Sequence, residues 1–412
     1  GDVGIGAELF LQQEGFAVTL VDRAEPGQAT SFGNAGIIAV QSVRSINTPE
    51  VLASLPGLLF RRRSPLRIRW RDLPATAPWL LAFARNCTSA RSAAAGAAQA
   101  ALCREAANAW RVLLQRCGGN ERVSWPGWLK LAETEAAALG LALERDLLEA
   151  EGHDCAWLDG DAVRALEPEL GPRFTAGLWL EENGQVDRPH ELLRLFAQRF
   201  AAEGGTIVRD EVRDIVAAGE GVAVVGAAGR YPGEQAVLAA GPWSAGLARR
   251  LGCRVRLVAE RGYHLMLPQP RMPVTRTLYS VRDGFVLAPM GDSLRLTGGA
   301  EIARLDTPPD EGPIRALLPA VRRLLPRAAT EVASSWMGRR PSTADGRPVI
   351  DRAPALPRVV LAYGHGHVGL TLGPVTGRLV ADLVVGRPAA VDLDAYAAVR
   401  RRRREFPKKD VA

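Results

Sequence analysis

An arginine directly ahead of a proline, Arg340, sits in the run Gly338-Arg339-Arg340-Pro341-Ser342-Thr343. The residue before a proline is held in extended backbone, so Arg340 can aim a rigid guanidinium fork at a carboxylate. A second run, Gly364-His365-Gly366-His367-Val368-Gly369-Leu370-Thr371, has the form of a glycine-rich turn from strand to helix. Such a turn gathers backbone N–H groups and the positive end of a helix dipole at one point. It suits neither zinc nor a serine nucleophile. No further ligands group near His365 and His367, and the chain has no Gly-x-Ser-x-Gly.

Two more pieces lie at the start. Gly1-x-x-Gly4 fits the last two glycines of G-x-G-x-x-G, the turn that lets a backbone approach a pyrophosphate. Asp22 stands at the end of the following strand, where a dinucleotide fold takes a ribose hydroxyl. The loop Thr30-Ser31-Phe32-Gly33-Asn34-Ala35-Gly36 offers hydroxyl and amide donors to phosphate or ring oxygens.

The elements that must position these groups are legible in outline. Residues 5–11 carry apolar side chains at helical spacing, Gly15 stops the helix, and Ala17 to Val21 reads as a buried parallel strand. Residues 46 to 150 are mainly helical, with long Ala/Leu stretches at 88–114 and 133–148. Beyond 176 the pattern turns α/β, with a helix at 191–203, a strand at 206–208 and β-rich sequence over 255–300. A strand at 359–362 meets the Gly364 turn, and a helix follows over 375–385. Nucleotide-type segments thus recur at the start, middle and end, which predicts an α/β protein of two domains, each assembled from separate pieces of chain.

Together these pieces resemble the flavin-dependent amine and amino-acid oxidoreductases of the D-amino-acid oxidase superfamily, and within it the D-amino-acid dehydrogenase small-subunit type. The likeness extends to Gly184-Gln185-Val186-Asp187, Ala239-Ala240-Gly241-Pro242-Trp243-Ser244 and Glu260-Arg261-Gly262-Tyr263-His264. It implies a Rossmann-like FAD-binding domain (1–70, 185–255 and 335–400) interleaved with a substrate domain (71–184 and 256–334) on a mixed or antiparallel sheet plus helices. It also implies FAD as cofactor, with Gly1 and Gly4 facing the pyrophosphate and Asp22 the adenosine ribose. Thr30, Ser31, Asn34 and Gly36 would lie along the phosphates and flavin, and the backbone of Val212 would meet adenine. Gly366, Gly369, Leu370 and Thr371 would approach the pyrimidine side of the flavin, and Arg340 would pair with the substrate carboxylate. Tyr263, His264 and Tyr279 are candidates for contacts to the carboxylate or amine. The implied reaction is oxidative deamination of a D-amino acid, with electrons passed to a quinone or other acceptor. A secondary amine as substrate, or a non-catalytic flavoprotein subunit, stays open at this point.

On this alignment the first glycine and the whole first strand of the nucleotide unit are absent from the sequence. Burying five or six apolar residues in such a strand is worth on the order of 10 kcal/mol gross, comparable to a domain's whole net stability of about 5–15 kcal/mol. Either the true start lies further upstream, or something else fills that place, or FAD is held poorly; the first is the favoured expectation.

Composition narrows the rest. The 412 residues are 47% hydrophobic and 24% charged, which excludes disordered and collagenous chains. The net charge of +7 is concentrated in Arg400 to Lys409, which alone carries five Arg and two Lys against Glu405. The body is near neutral and has no basic stripe with interleaved aromatics, so nucleic acid is not expected as a partner. A basic tail of this kind can touch anionic lipid at the inner face of the cell membrane. The five cysteines form no CxxC pair and no metal spacing, a pattern that reads as reduced and cytoplasmic. No run of about 18 apolar residues occurs, and the start shows no basic segment followed by an apolar one.

Overall fold

The structure, a computed structural model, describes residues 1–60 and 66–400, with the backbone alone for 55–60. Helix Asp2–Gln13 forms on the apolar spacing of Ile5, Leu9 and Leu11, all buried, and Gly15 ends it in the left-handed region at φ 87°. Strand Thr19–Asp22 follows and pairs in parallel with Thr206–Arg209. Strand Ala236–Leu238 pairs in parallel with Leu356–Tyr363, whose other edge takes Val349–Ala353 antiparallel. These are separate sheets, and no described strand takes the second edge of Thr19–Asp22 or of Ala236–Leu238. Residues 17–22 and 236–240 line one cavity. The first strand expected of a nucleotide unit therefore has no counterpart among the described residues.

A mixed sheet of nine strands carries the other side of the molecule. It runs Ser334–Thr343, Leu257–Pro268, Ser293–Ala303, Phe285–Met290, Thr277–Ser280, Trp128–Ala132, Ala176–Leu180 and Ala156–Asp159, with Leu66–Ile68 added beside Ser293–Ala303. Two boundaries expected from the sequence shift here. Ser334–Thr343 and Leu66–Ile68, expected within the FAD-binding pieces 335–400 and 1–70, both hydrogen-bond into this large sheet. The reason is that strand pairing is long-range. Arg340 lies opposite Glu260, 80 residues earlier, and an alternating pattern does not name its partner strand.

Register then sorts side chains by face. Residues 260, 262 and 264 lie opposite 340, 338 and 336 on one face. Tyr263, Leu265 and Leu267 point to the other, where they join Leu278, Leu287 and Leu296 in a core with Val321 and Leu324. The main core instead packs the first helix against Ser89–Cys117, Pro189–Ala202 and the last helix, Gly369–Val385. The stretch Gly366–Val385, which holds that last helix, is long and apolar enough to cross a membrane, with a mean hydropathy of 1.4, yet 67% of it is buried inside the protein.

The first and last helices touch at glycines. A Cβ on Gly6 would lie 2.8 Å from the carbonyl oxygen of Gly373, and one on Gly377 would lie 2.3 Å from the backbone of Gly6. Because Asp2 abuts Gly373 while Gly6 abuts Gly377, the helices run in parallel and present their N-termini at the same end. The basic residues 401–412 lie outside the described residues. Arg400, grouped with them in the sequence, is anchored in the body instead, 3.0 Å from Asp345 and donating to the carbonyls of Arg347 and Pro348.

Overpacking against backbone costs roughly 1–3 kcal/mol, and the gain of about 1 kcal/mol in helix propensity only partly offsets it. Gly377→Ala is therefore expected to lower stability by about 2 kcal/mol in urea unfolding, with the flavin content of purified protein falling alongside.

Candidate active site

Between the sheets lies a cavity of about 1380 Å³. Gly1, the residue ahead of the first helix, and Gly4 line it at one end, with Asp22 and Val212 nearby. Gly366, Gly369, Leu370 and Thr371 line it from the start of the last helix. Two helix N-termini thus open on the same space, each offering unpaired N–H groups and a positive dipole end. Asp2 sits in the first of them. Burial raises its carboxyl above the usual range, although Ser31 donates to it at 2.6 Å.

In the loop 30–36, Thr30, Ser31 and Asn34 line the cavity. Thr30 also donates its hydroxyl to the carbonyl of Arg339 in the large sheet at 2.8 Å, and Asn34 accepts from the N–H of Gly36 at 2.7 Å. Gly36 does not line the cavity. It is a turn residue at φ 78°, where a Cβ would strike the carbonyl of Val186. His264, expected near the substrate, is likewise a loop anchor. Its Nδ1 lies 3.1 Å from the carbonyl of Gly33 and its ring stacks on Trp336. Gln185 adds a further tie by donating to the carbonyl of Ala35.

Tyr263 and Tyr279 do not fill the substrate roles considered for them. The Tyr263 hydroxyl donates to Glu301 at 2.6 Å and accepts from the N–H of Asp310 on the far face of the sheet. Tyr279 stands behind Trp128, which meets it edge-on at 6.0 Å, and does not itself line the cavity. Strand alternation turns the Tyr263 side chain to the far face, whereas Tyr279 shares the face of Val286 and Thr297 and is kept from the cavity by Trp128; the sequence alone did not reveal which parity faces in.

Arg340 does reach the cavity wall. Its Nη1 donates to Glu260 at 3.0 Å and to the carbonyl of Gly299 at 3.2 Å. Its Nε and Nη2, one side of the planar fork, have no partner among the described residues. The guanidinium lies over Gly262, whose missing Cβ would fall 2.1 Å from Nη2. Trp336 fills the neighbouring space between Gly33 and Gly338. The sequence reading gave no site role to four contributors. His367 lies 2.7 Å from Glu260, Arg23 covers the Trp243 ring at 3.8 Å, and the Trp128 indole N–H and Thr297 hydroxyl are buried without partners at the cavity. Of these His367, inside the glycine-rich turn, and Arg23, the residue after Asp22, carried a local signal. No group of metal-binding side chains occurs among the described residues.

Known proteins confirm what this arrangement defines. Residues 1–383 match the DAO family of FAD dependent oxidoreductases. The chain is 32% identical to a D-amino-acid oxidase of Bradyrhizobium diazoefficiens over 97% of both chains. It is also 32% identical to a D-amino acid dehydrogenase of Paramagnetospirillum magneticum, again over 97% of both. Among solved structures, glycine oxidase from Geobacillus kaustophilus superposes with a TM-score of 0.76 at 25% identity, covering 97% of this chain and 96% of its own. The fold is that of a flavoenzyme with a Rossmann-like nucleotide domain. The protein belongs to the DAO family and is an FAD-dependent oxidoreductase.

The residues present fit that cofactor. The glycine-flanked helix ends suit its diphosphate and flavin, Asp22 its ribose, and the unpartnered Thr297 and Trp128 donors leave polar capacity at the cavity wall. Since the end of a flexible side chain, not backbone, occupies the place of a Gly262 Cβ, Gly262→Ala is expected to fold but to displace Arg340. Losing a charge-assisted pair costs about 1.5–3 kcal/mol, so KM for a carboxylate substrate should rise roughly 10- to 100-fold while flavin content stays unchanged.

Two buried histidines couple this region to pH. Burial, with Arg295 adding to it, brings His264 down to about 4, and burial alone does the same to His365, whose Nε2 meets Thr376 at 2.8 Å. The unfolded chain binds protons near pH 6.5, so between pH 4 and 6.5 it holds more protons than the folded one. Stability then rises with pH across that window and is lost as pH falls, by up to about 3 kcal/mol for each histidine. Denaturant unfolding at pH 7 and 4.5 is expected to show this loss, and His264→Phe to shrink it by up to about 3 kcal/mol; an undiminished loss would contradict a neutral His264.

Proposed function

We propose that this protein oxidises a D-amino acid at its CH–NH2 bond and passes the electrons to a quinone or another acceptor. The imino acid formed is hydrolysed to a 2-oxo acid and ammonia. The observation that carries this reading is Arg340, with the Nε–Nη2 side of its fork unpaired at the cavity wall beside the N-terminus of the last helix. Relatives named D-amino-acid oxidase and D-amino acid dehydrogenase support the substrate class.

The bound FAD supplies the hydride acceptor. Arg340 takes the substrate carboxylate on two parallel N–H donors, which fixes both position and rotation and discriminates against amines that lack an acid. Glu260 holds the guanidinium from its other side, so the fork enters the reaction already aimed. Trp336 and Val286 give the wall an apolar surface that excludes water from the reacting bond. The N-terminus of the last helix places positive potential where negative charge develops on reduction.

The test is the visible spectrum of the purified protein under anaerobic conditions, before and after adding D-alanine, with L-alanine and D-proline as controls. Bleaching of a flavin spectrum by D-alanine alone is expected. Bleaching by D-proline alone would move the substrate to the secondary amines, and a flavin that no amino acid bleaches would end the reading. Arg340→Lys keeps the charge but loses the fork, and should raise KM without loss of flavin.

A further inference from the structure

Glu260 is 3% exposed, yet its two oxygens serve three side chains, two from the strand Ser334–Thr343 and one from the turn before the last helix. Oε1 lies 3.0 Å from Arg340 Nη1 and 2.7 Å from His367 Nε2, and Oε2 accepts from the Ser342 hydroxyl at 2.8 Å. Burial alone would raise its pKa. The pull of His367, Arg340 and Ser342 outweighs burial and holds it at about 2, so the carboxylate is ionised at any working pH. A carboxylate only accepts, so the 2.7 Å contact assigns a hydrogen to His367 Nε2 and leaves Nδ1 as the nitrogen free to exchange a proton. That Nδ1 has no partner among the described residues. The ring lines the cavity and 42% of its side-chain surface is uncovered by protein, so it is open to a guest there.

We infer that His367 accepts a proton from the substrate's ammonium group, with Glu260 as the positioning residue that fixes its tautomer and orientation. This rests on the amino-acid reading above. An α-ammonium must become a neutral amine before its Cα–H leaves with the bonding pair, because only then can the nitrogen lone pair form the C=N bond. In the step assigned here one N–H bond of R–CH(NH3+)–COO− breaks, its electron pair stays on nitrogen, and the proton passes to Nδ1. The imidazolium so formed faces Glu260 and then releases the proton to water from its exposed edge. One oxygen, Glu260 Oε1, holds both the carboxylate fork and the base. The shared oxygen ties the position of one to that of the other. The charged or titratable groups that meet the ring are Glu260 and Arg340 from the sheet; His365 in its own turn is neutral, and the first turn of the last helix has no charged residue.

The experiment follows flavin bleaching by a D-amino acid in stopped flow across pH, for wild type, His367→Ala, His367→Gln and Glu260→Gln, with flavin content measured for each. Wild type comes first. If no amino acid bleaches it, the functional reading has failed, and this inference with it. If it is bleached, an acid limb is expected. His367→Ala should then be slowed roughly 10²- to 10⁴-fold at pH 7, its limb should move to the substrate's own ammonium titration, and imidazole should restore part of the rate. Binding of acetate, read from the flavin spectrum, should be unchanged because Arg340 is intact. His367→Gln keeps an N–H donor for Glu260 but has no basic nitrogen, so it should fold and still be slow. Nitrogen-15 imidazole spectra, compared with His367→Gln to assign the ring, should show the Nε2–H tautomer in wild type and its loss in Glu260→Gln. An unchanged acid limb and rate in either His367 variant, or the Nδ1–H tautomer in wild type, would overturn the assignment.

Discussion

The contact between the first helix and the last, made at Gly6, Gly373 and Gly377, is the constraint on which the active site depends. It joins segments from the two ends of the sequence and leaves room for backbone only. Because the helices are parallel and close, their N-termini open on the same cavity, one suited to a diphosphate and the other to a flavin ring. Neither end would make the site alone. A single N-terminus holds an anion, but two at a fixed spacing hold a long molecule in one orientation.

A second constraint is the docking of loop 30–36 on the large sheet. Thr30 and His264 tie it to the sheet, Gln185 holds Ala35, and Arg295 donates to the carbonyl of Asn34. Loop backbone that lies inside a protein must have its polar groups satisfied, and here polar side chains of reactive type do that work. This explains why His264 reads in sequence like a catalytic group and in space like a strut. Tyr263 is the same case on the opposite face, where Glu301, the fully buried Arg261 and Arg69 form a buried ionic network far from the guest.

Glu260 links scaffold to chemistry. A buried charge is tolerated only where it is paired and fully hydrogen-bonded, and Glu260 meets that condition by drawing Arg340, His367 and Ser342 toward one point. The same interaction that stabilises the carboxylate pre-aims the cationic fork. Its energy of burial and its role in orientation cannot be separated, which is why two groups far apart in sequence act as one unit.

What the sequence determined by itself was local: the helix starts, the glycines that permit close approach, Asp22 at a strand end, Arg340 ahead of a proline and the turn before the last helix. Each follows from the conformational limits of one residue and its near neighbours, so a linear pattern carries it. The tertiary structure alone decided which sheet Ser334–Thr343 joins and which face of Leu257–Pro268 meets the cavity. It also decided that the Tyr263 hydroxyl bonds Glu301 on the far face, that His264 and Tyr279 do not line the cavity, and that His367 does. Those outcomes depend on pairing across long separations. A shift of one residue in register exchanges the two faces of a strand, and no property of the residue itself records which face was chosen.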